Sequence, residues 1–182
     1  QRHKVQLAQI EKQERVRVFL ERELGTRINL GEKDLRAYYE RHSASWKVDE
    51  ARMRNISFRV SKPEDLKAAT EKAAKVLARL KAGEPFEKIA GEMSDDQETK
   101  TKGGDMGWLT PEQMPPELRP LVTKMQAGMT TPVPVQSSGA FHLIKVEARR
   151  DIKPFEEVRA TIENVMRADK QREVFGELIL AW

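Results

Sequence analysis

Residues 51–149 alternate strand and helix signals, and the order of these signals limits the fold more than any other feature of the chain. Residues 52–60 alternate in polarity between polar neighbours, which predicts a strand. Apolar residues at helical spacing across 66–80 predict a helix that stops at Gly83. Residues 86–93 predict a second, shorter helix.

The remainder of this region predicts three more strands. They are expected at 104–109, 133–135 and 140–146. A polar loop at 94–104 precedes the first of them, and the prolines of 111–120 restrict that stretch to short helical turns. Residues 137–139 predict the turn between the last two strands. We therefore expect an α+β fold, with an antiparallel sheet of about four strands surrounded by helices.

Helical arms flank this region on both sides. The N-terminal arm carries an apolar stripe that ends at Gly25, followed by a second helix that begins after Gly31. The stripe consists of Val16, Phe19, Leu20 and Leu24. The expected organisation is an N-terminal arm at 1–50, a central domain at 51–149 and a C-terminal arm at 150–182. A single short helix cannot bury such a stripe alone, so we expect the two arms to pack together, within one chain or by exchange between two.

Composition excludes several classes of function. The chain has no cysteine, which excludes disulfides, thiolate zinc sites and cysteine nucleophiles. Its 33 basic residues are interleaved with 29 acidic ones, a pattern typical of solvated helix faces rather than of a nucleic-acid-binding surface. No apolar run approaches the roughly 20 residues of a membrane span.

The first residue is Gln1, which lies inside a helical pattern, and no signal peptide precedes it. This start indicates a piece of a longer chain, from which any targeting segment is absent.

Four short motifs follow one another in the central region. They are FEKIA at 86–90 with SDD at 94–96, KGGDMGW at 102–108, QM at 113–114 and FHLIKV at 141–146. Their order and spacing resemble those of the parvulin-type (PpiC or rotamase) peptidyl-prolyl cis/trans isomerases. The resemblance covers about residues 52–149 and implies a parvulin-like antiparallel sheet surrounded by helices.

The arms add a weaker resemblance. LRAYYE at 35–40 and FEEV at 155–158 are similar to the arms of SurA/PrsA-like exported foldases, in which the isomerase domain is inserted into a helical chaperone module. This implies an isomerase and folding chaperone in the periplasm or cell envelope. Its partners would be unfolded or proline-containing polypeptides and not nucleic acid, with a homodimer formed through the arms.

Prolyl isomerisation breaks no bond. Its barrier of roughly 18–20 kcal/mol comes from amide resonance. An enzyme therefore needs an apolar surface for the proline ring and polar groups that complement the twisted amide. It needs no cofactor and no metal, and we expect neither here.

The resemblance also implies which residues form the site. The polar, catalytic side would be Asn55, Asp96, Ser137 and His142, and the substrate-binding surface would be Met106, Met114, Leu118 and Phe141. Read without the family, the methionines are ordinary core residues, Asp96 caps a loop and His142 is a buried histidine satisfied by its neighbours. These alternatives remain open at the level of sequence.

The chain departs from the family pattern at three places. Asn55 replaces the usual first-strand histidine, Leu118 replaces a common aromatic, and Gly139 stands where many relatives have phenylalanine. Asparagine both donates and accepts hydrogen bonds, so it preserves part of the network. The departures leave an alternative function open, in which a weakly active or inactive parvulin module binds peptides as a chaperone.

Overall fold

A computed structural model describes residues 2–180, with the side chains of 2–10, 12–13 and 20–21 excepted. The predicted contribution of Leu20 to the first apolar stripe therefore lies outside the described residues. Contacts divide the chain into two compact units. Residues 47–152 form the sheet unit, and the segments before and after it form the helical unit.

The chain forms seven α-helices and four strands within the part that the structure describes. The helices are α1 (Arg2–Arg27), α2 (Glu32–Arg41), α3 (Asp65–Lys81), α4 (Phe86–Met93), α5 (Gln97–Lys100), α6 (Arg119–Val122) and α7 (Phe155–Leu180). The strands are β1 (Lys47–Arg59), β2 (Asp105–Leu109), β3 (Val135–Ser137) and β4 (Ala140–Ile152). Single turns of 3-10 helix occur at Ser43–Trp46 and Pro111–Gln113.

The four strands form one antiparallel sheet in the order β2-β1-β4-β3. The predicted mixed fold with a four-stranded antiparallel sheet is confirmed. Strands β1 and β4 are longer than predicted because their polar ends continue to pair, from Lys47 opposite Ile152 to Arg59 opposite Ala140. Side-chain ion pairs support the added length, including one between Glu50 and Arg150.

Strand β3 begins two residues later than its predicted start at residue 133. The physical reason is the pair of prolines at 132 and 134, which have no N–H to donate to a ladder. Thr131, just before them, bonds separately through its N–H to the Ile144 carbonyl at 2.9 Å.

Both faces of the sheet are covered by apolar side chains. On one face, Ile56, Phe58 and Leu143 pack with buried residues of α3 and α4. On the other, a second cluster joins the strands to the segment around α6. Its buried members are Ala51, Met53, Met114, Leu118, Val122, Met125, Ile144 and Val146. Because side chains alternate along a strand, Asn55 and His142 lie on the face of this second cluster.

The helical unit is built where α2 packs on α7. Leu35 is buried with Phe155, Val158 and Ile162. The Tyr39 hydroxyl donates to the Lys153 carbonyl at 2.8 Å, which ties α2 to the start of α7. The predicted apolar stripe ends at Gly25, and helix α1 continues for two more residues, to Arg27. Thr26 supports this last turn by donating to the carbonyls of the preceding turn.

The two long helices expose apolar side chains. Val16 and Phe19 on α1 are 44% and 41% exposed, and Phe175 and Ile179 on α7 are 47% and 59% exposed. Two of the four residues of the predicted N-terminal stripe are therefore open to solvent in the single chain. No helix within residues 2–180 is long and apolar enough to span a bilayer.

Candidate functional site

Two glycines fold the polar loop back onto β1. Gly103 and Gly104 have left-handed φ angles of 61° and 80°, which glycine adopts without Cβ strain. A Cβ on Gly104 would lie 2.4 Å from the Asn55 carbonyl oxygen. The same close approach lets the Asn55 N–H donate to the Gly104 carbonyl at 2.8 Å. The turn therefore fixes the end of the loop beside Asn55.

The start of the loop is fixed to the same strand. Ser94 is fully buried, and its hydroxyl accepts the Ser57 N–H at 3.2 Å and the Asp96 N–H at 3.2 Å. The Asp95 N–H donates to the Ser57 carbonyl at 2.8 Å. These bonds place Asp96 at the edge of β1, close to Asn55.

Asp96 caps the N-terminus of α5, in line with its interpretation as a loop-capping acid. It also lies near Asn55. Its carboxylate accepts the Glu98 N–H at 3.1 Å and the Thr99 hydroxyl at 2.6 Å. Burial acts to raise the pKa of Asp96. The hydrogen bonds from Thr99, from the Glu98 N–H and from Asn55 outweigh burial and lower the pKa below its usual value. Asp96 is thus an anion that lies beside Asn55.

His142 joins Asn55 to β3. Its Nδ1 lies 3.1 Å from Asn55 Oδ1 and its Nε2 lies 3.2 Å from the Ser137 carbonyl oxygen. Burial lowers the pKa of His142 below its usual value, against smaller opposite effects of the bond to Ser137 and of the Asp96 charge. The ring is therefore neutral at pH 7.

Both partners of the His142 ring are oxygen atoms that accept hydrogen bonds. A neutral ring carries one N–H, so it donates to Asn55 Oδ1 in one tautomer and to the Ser137 carbonyl in the other. Asn55, His142 and Ser137 thus lie in one row, with Asp96 beside Asn55, and all four are predicted site residues.

Two of the predicted substrate-binding residues lie together in an apolar surface on one face of the sheet, called the floor from here on. Met114 and Leu118 are 6% and 5% exposed and belong to the buried cluster on the His142 face of the sheet. The Arg119 guanidinium donates to the Pro111 carbonyl at 2.7 Å, which fixes the turn that carries them. Met106 lies half-buried in β2 and, among the described residues, is not part of this cluster.

Phe141 is not brought into the site. It packs against the cluster of α3 and α4, on the opposite face of the sheet from His142. The expectation that Phe141 binds substrate is therefore corrected, because adjacent residues of a strand point to opposite faces.

Sequence reasoning missed Glu117. Its Oε2 accepts the Ser137 hydroxyl at 2.9 Å, which attaches the floor segment to β3 beside His142. The two residues are far apart in the chain, and no motif links them. The only local signal is the position of Glu117 immediately before Leu118.

Comparison with known proteins identifies the family of the sheet unit. Residues 53–148 match the family described as Rotamase: PPIC-type PPIASE domain. The foldase protein PrsA of Caldanaerobacter subterraneus subsp. tengcongensis is 32% identical over 151 residues, which cover 82% of this chain and 45% of the relative. The chain thus spans about half the length of the curated relatives it matches.

Two solved structures are similar in fold. The crystal structure of a PpiC-type peptidyl-prolyl cis-trans isomerase domain has a TM-score of 0.53 and 28% identity, covering 59% of this chain and 96% of that one. A SurA-like chaperone of Campylobacter jejuni has a TM-score of 0.50 and 23% identity, covering 97% of this chain and 69% of that one. With more than half of its residues matched by the family, the chain belongs to the PpiC-type peptidyl-prolyl isomerases, the parvulin-type rotamases.

Proposed function

We propose that this chain catalyses the cis/trans isomerisation of X-Pro bonds and acts as a folding chaperone on unfolded exported polypeptides. The observation that carries the proposal is the contact of His142 with Asn55, beside the Asp96 anion and next to a buried apolar floor on one face of the sheet. The two parts match what the reaction needs: an apolar surface for the proline ring and polar groups for the amide.

The roles proposed for the site residues follow from their positions. Met114 and Leu118 receive the proline ring and exclude water, which favours the less polar, twisted amide over the planar one. The contacts with Asn55 and with the Ser137 carbonyl hold His142 in a fixed orientation, with Asp96 beside Asn55, so that the dipole of the ring needs no rearrangement as the amide twists. No bond is broken and no nucleophile is required.

The alternative of an inactive peptide clamp is less favoured than the isomerase. Asn55, the residue that raised this alternative, remains bonded to His142 at 3.1 Å, so the substitution keeps the network connected. The relatives' names also favour the enzyme, since they describe foldases and an isomerase domain.

The proposed site of action is outside the cytoplasm, in the periplasm or cell envelope. The similar Campylobacter jejuni structure belongs to a pair of SurA-like chaperones of which one is described as periplasmic. The proposed partners are unfolded or proline-containing polypeptides, and no nucleic acid.

The arms are proposed to form a homodimer. The exposed side chains of Val16 and Phe19 on α1, and of Phe175 and Ile179 on α7, are the surfaces that a second copy would cover. Sedimentation velocity tests this dimer. A measured mass equal to that of a single chain at every protein concentration across a hundredfold range would contradict it.

The isomerase is tested by NMR exchange spectroscopy on short Ala-Pro peptides. We expect the cis/trans exchange rate to rise in proportion to the protein concentration. The control is His142→Gln, which keeps a polar side chain but removes the imidazole, and we expect it to reduce the acceleration at least fivefold. Peptide binding without acceleration would favour the clamp instead.

A further inference from the structure

Glu117 is held at the rim of the site. It immediately precedes Leu118 of the floor, and its carboxylate accepts the Ser137 hydroxyl at 2.9 Å. The carbonyl of the same serine lies 3.2 Å from His142 Nε2. The carboxylate is therefore separated from the catalytic imidazole by a single residue, and it is solvent-exposed, so a bound peptide can reach it.

The charge of Glu117 is not neutralised by a neighbour. Its pKa is lowered by its own backbone N–H and by the Ser137 hydroxyl, so it is ionised at neutral pH. Arg119 lies nearby in sequence, but its guanidinium donates to the Pro111 carbonyl and its charge acts on Glu112. Within residues 2–180 we find no ion pair of Glu117.

Asp96 adds a second negative charge on the other side of His142. Asp96 is the one charged group with a resolved effect on the His142 pKa, and it acts as an anion should, by raising it. Lys100 and Lys102 lie on the same loop, but neither shifts the pKa of Asp96 or of His142. Two carboxylates therefore belong to the site, although the chain carries a net charge of +4.

We propose that Glu117, with Asp96, makes this site select prolines that are flanked by a lysine or arginine. The inference rests on the proposed isomerase function and names its substrate class. Lysine has a flexible four-carbon side chain, and Glu117 immediately precedes Leu118 of the floor, so a lysine next to a bound proline can approach the Glu117 carboxylate. An exposed charge pair of this kind changes affinity by about two- to fivefold, and a glutamate in the same position is repelled.

Glu117 has a plain structural alternative, in which it only connects the floor segment to β3. Glu117→Gln separates the two roles, because the glutamine side-chain oxygen still accepts the Ser137 hydroxyl while the charge is lost. The matched control is Glu71→Gln, which removes the same charge from an exposed position of α3, on the other face of the sheet.

The experiment measures kcat/KM by NMR exchange for peptides with Lys, Ala or Glu immediately before the proline, and for a second set with the same residues immediately after it. In at least one set we expect Lys to exceed Glu about fivefold or more at low ionic strength. The ratio should fall at least twofold in Glu117→Gln and remain unchanged in Glu71→Gln. In the unmodified chain it should also shrink in 0.5 M salt, where screening weakens an exposed pair.

A Lys-to-Glu ratio near one, or a ratio that Glu117→Gln and salt leave unchanged, would overturn the charge selection while the isomerase function stands. Acceleration of none of the peptides would instead overturn the isomerase function, and this inference with it. The salt series needs no variant, so the test holds even if Glu117→Gln folds poorly.

Discussion

Asn55 stands at the centre of the site because its side chain lies between an anion and a neutral ring. Asp96 lies on one side, and His142 Nδ1 is 3.1 Å from Asn55 Oδ1 on the other. An amide carries two N–H groups and an oxygen, so it can donate to the carboxylate and accept from the ring. The strand position fixes the residue, since Asn55 is 4% exposed and bonded through its backbone to Gly104.

Burial has the largest effect on the His142 pKa, and the charge of Asp96 opposes it more weakly. The Asp96 anion stabilises the imidazolium, so its removal in Asp96→Asn should lower the already depressed His142 pKa further. A ¹H–¹⁵N titration of the imidazole measures the midpoint in both proteins. We expect the native midpoint below 6.5 and the variant midpoint lower still. A midpoint that rises in the variant would show that Asp96 does not act on the ring.

Because the pKa of His142 is lowered in the folded chain, His142 makes the stability of the protein sensitive to acid. The unfolded chain takes up a proton near pH 6.5, before the folded chain does, so the free energy of unfolding falls as the pH drops below that value. His142→Gln should flatten this part of the stability profile, measured by urea unfolding between pH 7.5 and 5.5. An equally steep profile in the variant would place the sensitivity elsewhere.

Met114 and Met125 separate the binding role of the floor from ordinary packing. Both are 6% exposed and belong to the same buried cluster, but only Met114 is proposed to contact the proline. Each methionine-to-alanine change should lower the free energy of unfolding by about 2–4 kcal/mol. Under conditions where both variants are folded, Met114→Ala should lose kcat/KM about fivefold and Met125→Ala less than twofold. Equal losses would mean that the floor acts only through stability.

At the scale of elements, the turn at Gly103 and Gly104 joins the polar loop at 94–104 to strand β1. Gly104→Ala introduces a Cβ 2.4 Å from the Asn55 carbonyl oxygen at a φ of 80°. Gly107→Ala is the control, because its φ of 74° brings the same backbone strain with nothing within 4 Å of the Cβ. We expect losses of about 3–4 kcal/mol and about 1 kcal/mol respectively by urea unfolding. Similar losses would show that the close contact relaxes.

Some of this arrangement could be predicted from the sequence and some could not. The order of strands and helices follows from local patterns, and the motifs pointed to Asn55, Asp96 and His142. The error over Phe141 was avoidable, because two neighbouring residues of one strand cannot share a face. The bond between Glu117 and Ser137 was not predictable, since it depends on how two distant segments meet. To predict the late start of β3, the effect of the prolines at 132 and 134 on strand pairing would have had to outweigh the favourable strand pattern of these residues.

At the scale of the whole molecule, the sheet unit has the features of an inserted domain. Lys47 pairs with Ile152, so its first and last residues lie side by side at the end of one strand pair. The Lys153 N–H donates to the Trp46 carbonyl at 2.9 Å, so the two ends left behind in the helical unit are also adjacent. Neither unit therefore needs a long connection when the other is removed.

Separate expression of the two units tests this organisation. Residues 47–152 contain the two clusters that cover the sheet and every residue of the proposed site. We expect this fragment to unfold in one cooperative transition and to keep most of the isomerase activity on short peptides. Joining Trp46 to Lys153 through a short Gly-Ser linker should give a helical protein with no isomerase activity, because Leu35 still packs on Phe155, Val158 and Ile162. If the fragment 47–152 melts without cooperativity, the sheet unit depends on the helical unit for its stability, and the two are not independent domains.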